Sequence, residues 1–449
     1  LTWRWLRNES SLSEFFEVDI SRVHKDRIYE IADKLLANKD TLEKQLYERQ
    51  NELFPGRNTL FLFDLTSFYF EGRCLDNELA KRGRSKENRK ENPLVSLALM
   101  VDQDGFPVKS KVYEGNVGEP KTLEEVLDSC GLMDLDEELY KPTLAMDRGI
   151  ASKENISTAK KHGFPYVVIE RADRSPDFKQ EFIDLEGFET IKDNKGQPIQ
   201  VKKIGNKVLC LSETRKVKED AMAQRWVKKA ITDLNQLQAS VKKGHFKAKK
   251  VIEARLSKIR TRYSRFADIF TVTCAFGEEN SITYKMNEVL ENPDKLHGCY
   301  VIEVDKFEGD AKLIWQTYTT LTKVESAFRA MKTDLGTRPV YHQGEKRTDA
   351  QLFLSILAYH MLINIEYRLK TCGGHTSWKS LREELANHRR NTIVWVNKKG
   401  ETWQKRVSGR AEARHRQIYG ILEVDDSLEN FTYKYEESSK VVPKNKSAP

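Results

Sequence analysis

The sequence predicts a mixed α/β fold, a sheet covered by helices, and three observations carry that prediction. Apolar runs alternate with helical segments between residues 58 and 175, the pattern of strands interleaved with covering helices. The runs Thr59–Asp64 (TLFLFD) and Thr143–Asp147 (TLAMD) each close on an aspartate. Helical spacing governs the sequence before residue 54 and returns after residue 310.

Taken in order, residues 24–53 read as helix. Ile28, Ile31, Leu35 and Leu36 fall at helical spacing, Leu42, Leu46 and Leu53 continue it, and Pro55-Gly56 punctuates the end. Thr59–Asp64 is a strand. Pro93–Val101 (PLVSLALMV) and Val108–Tyr113 (VKSKVY) form a hairpin around Asp104-Gly105. Leu123–Cys130 suggests a helix and Thr143–Met146 a strand. Ser152 then caps a helix running to about His162, and Tyr166–Ile169 (YVVI) is a further strand. From about 175 to 310 the pattern loosens. Ile269–Ala275 and Tyr300–Val304 suggest strands, and a long basic helix is expected between about 219 and 265. Helices are expected at about 315–335 and 349–370, and residues 443–449 read as a disordered tail.

Composition narrows the function classes. Net charge is +8 with a pI near 8.9, which suits a nucleic-acid partner without proving one. The cysteines Cys74, Cys130, Cys210, Cys274, Cys299 and Cys372 form no CxxC pair, which argues against a zinc ribbon and for free thiols in a reducing compartment. No apolar run approaches the roughly 20 residues that cross a bilayer, and no signal peptide is visible, so a cytoplasmic location is expected. The chain opens at Leu1 rather than at methionine, which leaves room for residues before it.

Three carboxylates stand out. Asp64 either caps a turn with Thr66 and Ser67 or is a metal ligand at a strand end, where open α/β folds place their sites. Asp147 repeats that arrangement ahead of Arg148-Gly149. Glu325 lies in YTTLTKVESAFRAMKTDL. At about 100° per residue, Tyr318, Leu321, Glu325, Arg329 and Lys332 share one strip. Leu321, Val324, Ala327, Phe328, Met331 and Leu335 make the apolar stripe beside it. The ordinary alternative for Glu325 is a surface ion pair with Arg329.

The segments LFDLTSFYFEG (62–72), VYEGNVGEPKTL (112–123), AMDRGIAS (145–152) and YTTLTKVESAFRAMKTDLGTRPVYH (318–342) occur in that order. Together they resemble the DDE transposases of bacterial and archaeal insertion sequences, in particular the insertion-sequence-four superfamily. That family's signature is Tyr, two residues, Arg, three residues, Glu, six residues, Lys. Tyr318, Glu325 and Lys332 match it, while Leu321 stands at the Arg position, and Arg329 is a candidate substitute.

The resemblance implies a ribonuclease H-like mixed sheet flanked by helices and interrupted by a largely β insertion. The implied domains are an N-terminal helical segment (1–57), a core in two parts (58–175 and 311–375), the insertion (176–310) and a C-terminal segment (376–449). It further implies that Asp64, Asp147 and Glu325 are catalytic and hold two Mg²⁺ (or Mn²⁺) ions, Asp64 bridging them. Tyr318 and Lys332 would orient the DNA backbone. The expected partners are the terminal inverted repeats of the element and target DNA, gripped by a homodimer on paired ends. Hard divalent ions prefer oxygen ligands, and three clustered carboxylates without them would repel one another.

Lys242 to Arg265 holds ten Lys/Arg against one Glu. Lys242, Lys243, Lys247, Lys249, Lys250, Arg255, Lys258, Arg260 and Arg262 are accordingly candidate phosphate contacts; the alternative is a solvated helical face. A second run, Lys81–Lys90, either overhangs the site or is a linker. Trp226 and Trp315 are candidates to stack an extruded base, with core packing the commoner role for each. Arg338 and His342 lie in the resembling stretch without an assigned part. Three functions remain: a transposase, a decayed or repurposed DNA-binding copy, and a nuclease that cuts without joining.

Overall fold

Strand β1 (Leu60–Tyr69) runs straight through Asp64 instead of ending there. Phe61, Leu62 and Phe63 are all fully buried, and a strand covered on both faces shows a continuous apolar run. Antiparallel to it lies β2 (Leu94–Asp102), with Leu99 opposite Asp64. The next strand, β3 (Pro107–Glu114), pairs with β2 through the expected Asp104-Gly105 turn. There Gly105 adopts φ +98°, and Asp102 Oδ1 accepts the backbone N–H groups of Asp104 and Phe106, each at 2.9 Å.

The computed structural model describes residues 2–20, 23–53, 60–83, 91–118, 122–131, 141–170, 177–193, 195–263, 269–277, 280–287, 296–374, 377–425 and 430–434. Most of the basic run 81–90 and the C-terminal tail lie outside them. The chain divides into two units, Leu1–Leu144 with Thr320–Pro449, and Ala145–Thr319.

In the first unit the strand order is β3-β2-β1; β4 (Thr143–Met146) falls where the chain passes from one unit to the other. The expected helix over 24–53 is two, α3 (Asp26–Ala37) and α4 (Lys39–Leu53), broken at Asn38, whose side chain donates to the Lys34 carbonyl at 2.8 Å. Helix α4 packs on β3, where the buried ammonium of Lys109 meets Asp40 at 2.5 Å and Glu43 at 3.1 Å. Ahead of these lie α1 (Thr2–Asn8) and α2 (Leu12–Phe15). Helix α5 (Leu123–Ser129) follows β3.

The helix expected over 315–335 is also two: α10 (Ala311–Thr319), in the second unit, and α11 (Thr322–Thr333), in the first. The break falls in a threonine-rich stretch, and Thr319 Oγ1 donates to the Gln316 carbonyl at 2.8 Å, the local bonding by which hydroxyl side chains compete with a continuing helix. Helix α11 packs on β1 and β2, and α12 (Glu345–Thr371) packs against α3 and β3. Most of the predicted apolar stripe is inside: Leu321, Val324, Ala327, Phe328 and Met331 are buried, while Leu335, past the end of α11, is half-buried.

The C-terminal part holds α13 (Trp378–Leu385) and α14 (Ala413–Leu422), joined to α12 by a cluster of Leu369, Leu381 and Ile418. It also holds a separate antiparallel sheet of β12 (Arg390–Val396), β13 (Thr402–Ser408) and β14 (Phe431–Lys434). Glu14 of α2 ties into this sheet, meeting Arg390 at 2.5 Å and Arg406 at 2.6 Å.

In the second unit the strand order is β5 (Tyr166–Ile169), β11 (Cys299–Asp305), β8 (Lys207–Ser212), β7 (Pro198–Ile204) and β6 (Glu189–Lys192). Helix α6 (Lys153–Lys161) begins as predicted, with Ser152 Oγ accepting the Asn155 N–H at 3.1 Å. A short α7 (Lys179–Asp184) precedes β6. The segment between β5 and α10 carries the expected strands but is not largely β: among its described residues the helices span more of the chain than the strands do. Its basic helix is two, α8 (Glu213–Lys242) and α9 (Lys249–Arg262), with Gly244 at φ +73° in the turn between them. Val227, Ala230, Leu234, Leu237 and Val241 of α8 pack against Ile252 and Leu256 of α9 and against the hairpin β9 (Phe270–Ala275) and β10 (Ser281–Met286). All six cysteines are free of disulfides. No helix among the described residues is long and apolar enough to cross a membrane.

Candidate active site

Asp64 occupies the middle of β1, so both readings that placed it at a strand end are corrected. The strand continues because Thr66 and Phe68 keep its inward alternation and pair with Leu97 and Val95. Period-two geometry puts Asp64, Thr66 and Phe68 on one face. That face looks toward α11, because the Lys332 ammonium sits over the Phe68 ring at 5.3 Å from its centroid.

Two contacts set the direction of α11 along β1. At its start, Lys323 packs beside Gly105, next to Asp102, which lies opposite Phe61. Beyond its end, Val340 bridges Phe70 in parallel, its N–H donating to the Tyr69 carbonyl at 2.9 Å. The helix therefore runs with the strand, and Glu325, two turns before Lys332, falls on the half of the helix nearer Asp64. Burial lowers the Lys323 pKa, and the nearby Lys370 charge lowers it further, against the pull of Asp104, Asp102 and Glu366.

Asp64 is half-buried and its Oδ1 accepts the Leu65 N–H at 2.7 Å. Asp147 is exposed immediately after β4, in the second unit. Its Oδ1 accepts the Arg148 N–H at 2.7 Å, and its carbonyl accepts the N–H groups of Ile150 and Ala151, the turn that leads into α6. Glu325 is exposed on the rim of α11. The expected alternative, an ion pair with Arg329, does not form: among the described residues neither side chain has a partner.

Among the described residues, no three His, Cys, Asp or Glu side chains are gathered as a ready metal site. The donor chemistry nevertheless suits a hard divalent ion. All three candidates offer carboxylate oxygens, and no ammonium or guanidinium pairs with Asp147 or Glu325 among the described residues.

The other sequence candidates scatter. Tyr318 belongs to α10, not to the helix of Glu325, and packs against the second unit's core beside Trp315. Leu321, at the family's arginine position, is a core residue at 6% exposure. Trp315 is buried, with its indole N–H donating to Tyr300 Oη at 2.8 Å. Trp226 packs edge-on against Tyr263 at 5.3 Å. Both tryptophans therefore have core roles.

The basic stretch is exposed. Lys242, Lys243, Lys247, Lys250, Lys258 and Arg260 have no carboxylate partner among the described residues. Lys249 reaches Glu253 at 3.9 Å, Arg262 meets Asp233 at 2.8 Å, and Arg255 lies over Phe246 at 4.0 Å. Arg255, Lys258 and Arg262 also line a groove of about 270 Å³ between α8 and α9. His342 stacks edge-on against Tyr29 at 5.7 Å, and burial followed by the charge of Arg347 lowers its pKa. Lys323 and the aromatic C-terminal sheet were missed from the sequence. A lone helical lysine carries no signal, whereas the alternation in TIVWV and TWQKRV does.

Residues 55–361 match the family described as Transposase DDE domain. The sequence has no match among curated proteins. Among solved structures it is similar, at 9% identity, to the piggyBac transposase in a synaptic complex with hairpin DNA. That alignment covers 77% of this chain but only 60% of the other, with a TM-score of 0.28, too low to bear on function.

Proposed function

Because this chain belongs to the transposase DDE-domain family, we propose that it is a metal-dependent transposase of the insertion-sequence-four kind, cutting at element ends and joining 3′ ends to target DNA. Asp64, Asp147 and Glu325 together hold two Mg²⁺ or Mn²⁺ ions in this proposal. The observation that carries it is the order of the acids: one inside β1, one directly after β4, one on the helix laid along β1. That is the order of a ribonuclease H-like catalytic core.

When bound, the ions supply an activated nucleophile and stabilise the leaving oxygen of a phosphodiester. The chain's own residues fix the rest. Burial on both faces of β1 holds the Asp64 carboxylate in place. Lys332, steadied over Phe68, presents a cation to the DNA backbone, and Arg329 stands exposed on the same helix. The α8–α9 cations neutralise phosphates further along the duplex. A second copy pairs the two element ends, as a homodimer.

Incubation of the full chain with end-bearing DNA and Mg²⁺ should give both cleaved and joined products. Asp64→Asn, Asp147→Asn and Glu325→Gln should each abolish them while DNA binding persists. Near-full cleavage by any of the three variants would show that residue to be misassigned. Leu321 in place of an arginine favours a second reading, a DNA-binding copy without catalysis, and binding with no metal-dependent product would support it.

A further inference from the structure

We propose that the outer face of the C-terminal sheet is a second nucleic-acid site, which binds unpaired DNA by stacking bases on Trp395 and Trp403. Register and strand alternation define the face. Trp395 pairs across with Trp403, and Ile393 with Lys405, so these four side chains share one side of the sheet. Trp395 is 39% exposed and Ile393 52% exposed. Trp403 is half-buried and Lys405 exposed. Arg390 and Arg406, which Glu14 of α2 engages, belong to the opposite face by the same alternation.

The charge around this face selects its occupant. Lys398 and Lys399 stand at the hairpin tip, Lys405 on the face and Arg410 just past the sheet. All four are exposed, with no carboxylate partner among the described residues. Neither indole N–H has a partner there either. Flat aromatic rings flanked by unneutralised cations are the two components of single-strand recognition: every base offers a face to stack, and every phosphate a charge to neutralise.

A second copy of the chain is the competing occupant, because β12 is an edge strand with Ile393, Val394, Trp395 and Val396 exposed. Antiparallel self-pairing about Val394 would set Lys398 and Lys399 opposite Arg390 and Arg389. Like charges facing each other across a ladder destabilise it. The site depends on the proposed function only in taking DNA as its ligand. Its test reads binding, so a catalytically dead chain would leave it standing.

The probe is a thymidine oligonucleotide of about ten nucleotides, within the range one such platform covers, titrated into the full chain while tryptophan fluorescence and anisotropy are followed. Quenching is expected on binding. The Trp395→Ala and Trp403→Ala variants should each weaken affinity by roughly ten-fold and Trp395→Phe should retain most of it. Lys405→Gln should lower the slope of affinity against salt by about 0.7 with an unchanged melting temperature, which distinguishes a missing phosphate partner from misfolding. Duplex binding should stay as it was. Wild-type oligonucleotide affinity in both alanine variants would overturn the proposal. So would sedimentation showing that they abolish a dimer formed without DNA.

Discussion

The first unit contains two sets of antiparallel strands, β1–β3 and β12–β14, built by the same rules and left in opposite states. Every residue of β2 is buried, whereas Asn391–Val396 of β12 is exposed throughout. Both strands are rich in β-branched and aromatic or aliphatic residues, so propensity does not separate them. Cover does: α11 lies against β1 and β2 and α4 against β3, while α2 reaches the C-terminal sheet chiefly through Glu14. A covered sheet can hold a carboxylate at a fixed point, as β1 holds Asp64. An uncovered one can offer rings and cations to a ligand, as β12 and β13 do.

The largest break in that contrast should come at the covered sheet's chemistry. Asp64→Asn should lower cleavage by more than about 100-fold, beyond what removing a ligand's supporting partner costs, with little change in melting temperature. Next in size is packing. Leu99→Ala, in the middle of β2, should cost about 2–5 kcal/mol in denaturant unfolding. Val394→Ala, at 56% exposure on β12, should stay within about 0.5 kcal/mol. Comparable destabilisation at the two positions would mean that β12 is covered in solution.

A smaller effect sharpens the comparison with the second unit. Reversing Lys250, Lys258 and Arg260 together should weaken duplex binding and reduce its salt slope by about 0.9 for each phosphate no longer neutralised. Binding of the thymidine oligonucleotide should be unaffected.

The smallest effect is on pH. Burial lowers the pKa of His360 and, with Arg347, that of His342, both from an ordinary 6.5. A histidine depressed in the folded state adds stability that is present above pH 6.5 and lost as pH falls through the folded value, because the unfolded chain takes up the proton first. Melting temperature should therefore drop as pH is lowered from 7 through 6. Replacing both histidines with glutamine should flatten that slope.

Much of the core was legible in sequence because burial on both faces writes long apolar runs, as in TLFLF and PLVSLALMV. The Asp104-Gly105 turn and the Ser152 cap were legible because each is a local hydrogen-bonding motif. Helix breaks at Asn38, Thr319–Leu321 and Gly244 were not, since apolar spacing carries across a short interruption. Spacing carried across the Thr319–Leu321 break places Tyr318 on the helix of Glu325, whereas Tyr318 lies on α10. The acids were found as separate residues, and their order along strands and helices could be read. The lysine laid over Phe68 and the Trp395–Trp403 pair depend on register between distant segments, which one-dimensional pattern does not contain.

The claim on which the rest depends is that Asp64, Asp147 and Glu325 share their metal ions. The direct measurement is anomalous scattering from Mn²⁺ in crystals of the full chain bound to element-end DNA. Peaks at about 2.1 Å from carboxylate oxygens of all three residues are predicted. Manganese held elsewhere, or any one of these carboxylates left outside the coordination shell of the cleavage-competent complex, would contradict it.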